Sequence, residues 1–297
     1  MSAVQHQALP LEGTVTAVWY NRIARDAIVL IHGGQPGLLP YCSGAHIWGF
    51  SATRLMESAA VIMLELPGTG TTGFSADGLT LDGWKNHIRT VLQQLGTENV
   101  HLVAHDTAAL PALLLAHDHP HMIRAVTVVS SVAATPTGDG VEKFVLAYPP
   151  TPLWSASSQR WALEQVSYAH HHVDDELVAA CVRSSEAPAH ARAVAHMADP
   201  ARRLQWVSSI SRAKSRLFQV CRESGIPVPV QVVWGTHDPL GTVDQAVWSY
   251  RILAQRQPLA QFHLINRAGA LPFREEVEAF CRVLLAFDDV TAHRMRG

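Results

Sequence analysis

The sequence predicts an α/β architecture: a mostly parallel central sheet flanked by helices, with a helical lid inserted. Three observations predict it. Short apolar runs rich in β-branched residues stop at Gly or Pro, Ala/Leu-rich amphipathic stretches separate them, and one long middle segment contains no strand pattern. Val15–Tyr20 reads as a strand, Ala27–Ile31 as a second ending at His32-Gly33-Gly34, and Ala60–Leu64 as a third ending at Pro67-Gly68. A helix is expected over Leu81–Leu95, with Trp84, Ile88, Val91, Leu92 and Leu95 on one stripe. Val100–Ala104 is a buried strand, Thr107–His117 a helix that tolerates Pro111 in its first turns, and Ile123–Val129 another strand. The sheet resumes with Val228–Trp234, a helix near Val243–Ala254, the strand Gln261–Ile265 and a last helix over Arg274–Phe287, whose apolar face holds Val277, Phe280, Cys281 and Leu284. The intervening Ala134–Gly225 carries Pro-rich turns, Trp154, Trp161 and helical stretches such as Asp174–Val182 and Ala189–Met197. The expected organisation is therefore a first core part over 1–133, a lid over 134–226 and a second core part over 227–297.

Composition narrows the function classes. The chain has 297 residues, 48% hydrophobic and 16% charged, which excludes a disordered tail-like protein. Lys plus Arg number 23 against 25 Asp plus Glu, so no concentrated basic footprint for nucleic acid exists. No apolar run reaches the ~18 residues of a membrane span, and the first residues lack a basic-then-apolar signal pattern. Cys42, Cys181, Cys221 and Cys281 show no CxxC spacing and read as free thiols of a reducing, cytoplasmic compartment. The expected partners are a small-molecule substrate and, at most, a second copy of the chain as a homodimer. Nucleic acid, membrane and metal are not expected, nor is any cofactor. His170-His171-His172 and His117, His119 and His121 lack a zinc-like spacing, and the Gly68–Gly73 loop lacks the Lys-Ser/Thr ending of a phosphate loop. Arg202, Arg203, Arg212, Lys214 and Arg216 read as a solvated helical face.

Ligands of an open parallel sheet gather beyond the carboxyl ends of its strands. Five polar or glycine-rich segments fall there: His32–Gly37, Glu65–Gly70, His105–Thr107, Thr236–Asp238 and Arg267–Ala270. The sharpest local signal is Val103-Ala104-His105-Asp106-Thr107-Ala108-Ala109. Small residues around Asp106 permit a tight strand-to-helix turn that thrusts one reactive group upward, over helix N-terminal amides. A simple helix N-cap also explains an Asp there, but not the small residues around it or the other four loops.

These segments, in this order, resemble the α/β-hydrolase superfamily over nearly the whole chain. His32-Gly33-Gly34-Gln35-Pro36-Gly37 is similar to its oxyanion loop, and Leu66–Thr72 to the glycine-rich loop after the next strand. Asp106 occupies the nucleophile-elbow position, where esterases carry Ser; an aspartate there resembles the epoxide hydrolase and dehalogenase branch. Trp234-Gly235-Thr236-His237-Asp238-Pro239-Leu240 resembles the loop bearing the triad acid, which makes Asp238 its match. Where the family carries Gly-His-x-Pro, this chain reads Gly269-Ala270-Leu271-Pro272, so Ala270 stands at the position of the catalytic His. Two explanations stand: a natural loss of the His-dependent step, or an engineered His-to-Ala change. The well-kept loop favours the second.

The resemblance implies a hydrolase acting on a small or medium-sized hydrophobic molecule through an Asp106 alkyl ester, by epoxide or carbon–halogen hydrolysis. Backbone N–H groups of Gly34 and Thr107 would form the oxyanion hole, and turnover would be impaired by Ala270. Two alternatives remain beside it. One is a lyase, cyclase or carbon–carbon bond hydrolase with Asp106 as base, favoured by the similarity of the Gly33–Gly37 loop to hydrolases of ring-fission products. The other is a non-catalytic small-molecule binding protein. Candidate substrate-binding residues are Gln35, Tyr41 and His46 of the long loop over the pocket, and Tyr148, Trp154, Trp161 and Tyr168 of the lid. Thr107, where dehalogenases carry Trp or Arg, counts against both standard dehalogenase types. Among the histidines, His105 is expected to pack beside the elbow, His263 to be a core or supporting group, and His237 to point away from its neighbour Asp238.

Overall fold

The computed structural model describes residues 4–11, 14–75, 78–137 and 144–294. Eight strands form one sheet: β1 (Gln5–Leu11), β2 (Thr14–Tyr20), β3 (Ile28–Ile31), β4 (Val61–Leu64), β5 (Val100–His105), β6 (Ile123–Val129), β7 (Val230–Gly235) and β8 (Gln261–Ile265). Their spatial order is β1-β2-β4-β3-β5-β6-β7-β8, with β1 and β2 antiparallel and every pairing from β4 through β8 parallel. Residues of β3 to β7 are buried on both faces, which is why they read as continuous apolar runs and not as alternation.

The helices are α1 (Gly49–Met56), α2 (Leu81–Gln94), α3 (Ala109–Asp118), α4 (Ala156–Gln165), α5 (Asp175–Ser185), α6 (Pro188–Ala198), α7 (Pro200–Glu223), α8 (Val243–Ala254), α9 (Pro272–Glu275) and α10 (Val277–Arg294). The Thr80 hydroxyl caps α2 by accepting from the Gly83 N–H, and Trp84, Ile88, Val91 and Leu92 are buried on the predicted stripe. Pro111 is the third residue of α3, where its missing N–H has no helical acceptor to lose. One apolar cluster joins α2, α3 and α7 to one sheet face; another joins α1, α5 and α10 to the opposite face.

A helical insertion, α4 to α7, lies between β6 and β7, and its described residues contain no strand. Residues 138–143 of the expected lid are outside the described residues. Three features differ from the sequence reading. β1 was not anticipated, because its Gln-His-Gln-Ala-Leu-Pro-Leu pattern gains its place from hairpin pairing with β2 and not from burial. Pro200–Glu223 is one 24-residue helix whose polar composition hid its length. The single helix expected over Arg274–Phe287 is two, because Glu276 leaves helical geometry at φ −132°, ψ 63°.

Candidate active site

Asp106 follows β5 and opens the single 3-10 turn that leads into α3. Its φ is +49°, a left-handed conformation that costs an L-residue about 1–3 kcal/mol unless the surroundings impose it. The surroundings do so through Gly33. A Cβ on Gly33 would stand 2.3 Å from the His105 carbonyl oxygen and 2.5 Å from the Asp106 Cβ, so only glycine lets the loop after β3 lie against the elbow. Asp106 is 2% exposed and Thr107 fully buried. The side chain predicted to stand at a bend therefore does so, in an enclosed environment.

His32 fastens the loop after β3 to the loop after β4. Its Nε2 accepts from the Leu66 N–H at 3.1 Å, which leaves Nδ1 protonated and placed to donate to the Gly33 carbonyl at 3.0 Å. Burial lowers its pKa to about 3, so the ring stays neutral and serves as a connector. Gly34 takes φ +111° beside Ser43, and a crevice of about 20 Å³, the room of one water, lies among Gly33, Gly34, Gln35, Tyr41, Ser43 and Ser184. Tyr41 is buried. Burial, reinforced by the nearby Asp106 and Asp238 carboxylates, pushes its pKa well above the usual phenol value. It is therefore a protonated phenol in the field of both carboxylates.

Asp238 sits in the turn after β7, where Oδ1 accepts from the N–H groups of Leu240 at 2.8 Å and Gly241 at 3.3 Å. The loop after β8 lies against this turn. A Cβ on Gly235 would be 2.0 Å from the Gly269 carbonyl oxygen, and the His237 N–H donates to the Ala268 carbonyl at 2.9 Å. The elbow joins them through His105, whose Nε2 lies 3.0 Å from the Ala270 carbonyl oxygen and whose ring meets Phe273 edge-on at 5.1 Å. Positions 106, 238 and 270 thus belong to three loops locked by direct bonds. Ala270 is buried and presents a methyl group, with no atom able to take a proton.

The lid is bolted to this assembly by Glu275, whose importance the sequence did not reveal. Its Oε1 accepts from the Gly269 N–H at 2.7 Å, and Oε2 accepts from the N–H groups of Tyr168 at 2.7 Å and Ala169 at 2.9 Å. Burial raises its pKa, opposed by these three backbone donors. The Ala270 N–H adds a bond to the Val166 carbonyl at 2.8 Å. On the other side of the lid, Trp154 donates its indole N–H to the Leu39 carbonyl at 2.8 Å, and Gln159 Oε1 accepts from the Cys42 N–H at 2.9 Å.

The candidate binding residues separate accordingly. Gln35 and Tyr41 are buried beside the crevice at Gly33 and Gly34. Trp154 commits its indole donor to a backbone carbonyl and packs edge-on against His190 at 4.8 Å, so it shapes the cover and is not a free donor. Trp161 is half-buried against the second apolar cluster. Tyr168 stacks on His237 at 4.2 Å, half in solvent. Tyr148 is 90% exposed, so it is not brought to the elbow: its lid position read as a pocket position only because sequence gives no direction. His46 turns to the Cys42 carbonyl at 2.9 Å and the Cys181 sulfur at 3.3 Å, on the wall of a different cavity. His263 lies beside Gln261 Oε1 at 3.1 Å on β8, and His237 faces solvent, so neither supplies an imidazole in place of Ala270. Among the described residues, no three His, Cys, Asp or Glu side chains converge as metal ligands, and no helix is long and apolar enough to cross a membrane. All four cysteines are free and buried.

A family profile described as alpha/beta hydrolase fold matches residues 26–277. The chain belongs to this alpha/beta hydrolase fold family. Among curated proteins, it is 27% identical over 261 residues to a 2-hydroxymuconate semialdehyde hydrolase of Pseudomonas putida, covering 87% of this chain and 85% of that protein. A protein of the same name from Pseudomonas sp. (strain CF600) is 26% identical over 244 residues, covering 82% of this chain and 79% of that protein. Among solved structures, a meta-cleavage product hydrolase from Pseudomonas fluorescens IP01 superposes with a TM-score of 0.75 at 20% identity, covering 95% of this chain and 97% of that one. This last likeness speaks for the fold. The α/β-hydrolase placement therefore stands, while the specific likeness to epoxide hydrolases and dehalogenases gains no support from the names of these relatives.

Proposed function

We propose that this α/β-hydrolase-fold enzyme cleaves a carbon–carbon bond beside a carbonyl in a small, largely apolar molecule, with the Asp106 carboxylate as general base. The observation that carries this reading is the Asp106 carboxylate itself, held at φ +49° in the elbow against Gly33, with a methyl group at 270 where an imidazole would otherwise relay protons. The curated relatives, which act on 2-hydroxymuconate semialdehyde, supply the substrate class: a hydroxylated, unsaturated ring-fission product bearing a carbonyl.

In this reading Asp106 takes a proton from water, and the water oxygen adds to the substrate carbonyl carbon. The N–H groups of Gly34 and Thr107 would stabilise the resulting oxyanion, assisted by the protonated Tyr41 phenol. Collapse breaks the carbon–carbon bond; the departing carbon keeps the electron pair and takes the proton from Asp106, leaving a carboxylic acid and a new C–H bond. Asp238, without an imidazole to orient, acts through its field and by fixing the turn after β7.

The test follows loss of the conjugated chromophore of 2-hydroxymuconate semialdehyde together with appearance of the acid product. Asp106→Asn should lower the rate by roughly 100-fold or more, the typical contribution of a positioned base. Undiminished turnover in Asp106→Asn overturns the reading. So does an alkyl ester found on the Asp106 peptide by mass spectrometry after exposure to an epoxide or haloalkane, because that adduct identifies a nucleophile.

A further inference from the structure

A cavity of about 570 Å³ lies away from the elbow, between α1, the end of β4 and lid helix α5. Neither Asp106, Asp238 nor Ala270 lines it. Its inner wall is formed by Ala52, Met63, Leu177 and Arg274, all buried, while Phe50 and Arg183 stand exposed at its rim. The volume is that of a small-molecule site.

Arg274 is the unusual element. Its Nη1 donates to the carbonyls of His46 at 3.4 Å and Ile47 at 3.1 Å, and Nη2 donates to the His172 carbonyl at 3.2 Å. These neutral acceptors hold the guanidinium in place, the Asp174 and Glu176 carboxylates act on it only through space, and its Nε–H is buried with no acceptor. It makes no ion pair among the described residues. A guanidinium with N–H donors to spare on a cavity wall is chemically suited to a carboxylate. The acidic groups nearby do not fill that role. Glu65 accepts from the backbone N–H groups of Thr71, Ala45 and Thr72; Asp174 caps α5 by accepting from the Leu177 N–H at 2.7 Å; and Glu176 is exposed at the mouth together with Arg183.

We propose that this cavity binds an apolar monocarboxylate, its carboxylate on Arg274 and its hydrocarbon body against Met63, Leu177 and Ala52. The site is independent of the reaction at Asp106, and its test reads binding without turnover. Isothermal titration calorimetry on the full chain would compare benzoate with the neutral benzyl alcohol. Benzoate is expected to bind at least tenfold more tightly. Arg274→Gln should reduce benzoate to the affinity of benzyl alcohol. Ala180→Trp, which fills the cavity from α5 without touching the guanidinium network, should abolish benzoate binding while leaving the melting temperature of the free protein within a few degrees. Equal affinity for the two probes, no benzoate binding at millimolar concentration, or full benzoate affinity in Ala180→Trp overturns the proposal.

Discussion

Glu65 provides a sharp test of how burial and hydrogen bonding divide control of one carboxyl group. The residue opens the loop that leaves β4 and is 4% exposed. The backbone packs so closely that a Cβ on Gly70 would stand 2.2 Å from both carboxyl oxygens. Donors from Thr71, Ala45 and Thr72 favour the anion, yet desolvation outweighs them and lifts the pKa from 4.5 to about 7. An acid whose pKa is raised on folding stabilises the folded state below its unfolded value and loses that contribution as pH rises through the folded value. The window is therefore pH 4.5 to about 7, and the shift corresponds to about 3 kcal/mol.

Other groups act in the opposite sense. Burial lowers the pKa of His32 and His172 to about 3 and of His46 and His87 to about 4, so each destabilises the fold as pH falls below the unfolded value of 6.5. The wild-type pH profile is a sum of both. Comparison with Glu65→Gln, a neutral isostere, cancels the histidines and isolates the carboxyl. Urea unfolding at pH 5 and pH 8 should show the variant gaining about 2.5 kcal/mol relative to wild type over that interval. A wild-type-to-variant difference that is the same at both pH values would show that the loop donors hold Glu65 ionised throughout, and would refute the reasoning.

Two further perturbations probe the site's scaffold. Gly33→Ala places a methyl group into the His105 carbonyl and the Asp106 Cβ, neither of which can rotate away, so a loss of about 3 kcal/mol or more by chemical denaturation is expected, with collapse of any Asp106-dependent activity. Glu275→Ala leaves the N–H groups of Gly269, Tyr168 and Ala169 without their common acceptor; it should cost about 3 kcal/mol or more and speed limited proteolysis around residues 166–172, while equal cleavage rates would argue that the lid is held elsewhere.

Much of this fold was legible because its central strands, β3 to β7, are buried on both faces. Ile123–Val129, Val243–Ala254 and Gln261–Ile265 fall at the bounds their patterns indicate, since each lies between strong turn signals. The elbow was legible for a steric reason: small residues flanking Asp106 accompany a backbone that must turn sharply there, as the positive φ shows. What the sequence concealed depends on partners far along the chain. Glu275 sat in the sequence as an acidic residue after Pro272, yet its role arises from N–H groups more than 100 positions upstream. Trp154 and Tyr148 looked equivalent as lid aromatics; one reaches the Leu39 carbonyl and the other meets solvent, a distinction no local pattern encodes. Arg274 escaped notice because the carbonyls that hold it come from loops at residues 46–47 and 172.

The bonds that tie residues 154–172 to the core have a kinetic consequence. With the elbow enclosed and the cover pinned at Leu39, Cys42, Gly269 and Ala270, a molecule reaches Asp106 only when several of these fastenings part together. For the proposed reaction, such gating predicts saturating rates that report the frequency of that breathing and not the speed of bond making. Solvent viscosity and amide exchange in the 154–172 segment should then track turnover more closely than the leaving tendency of the substrate does.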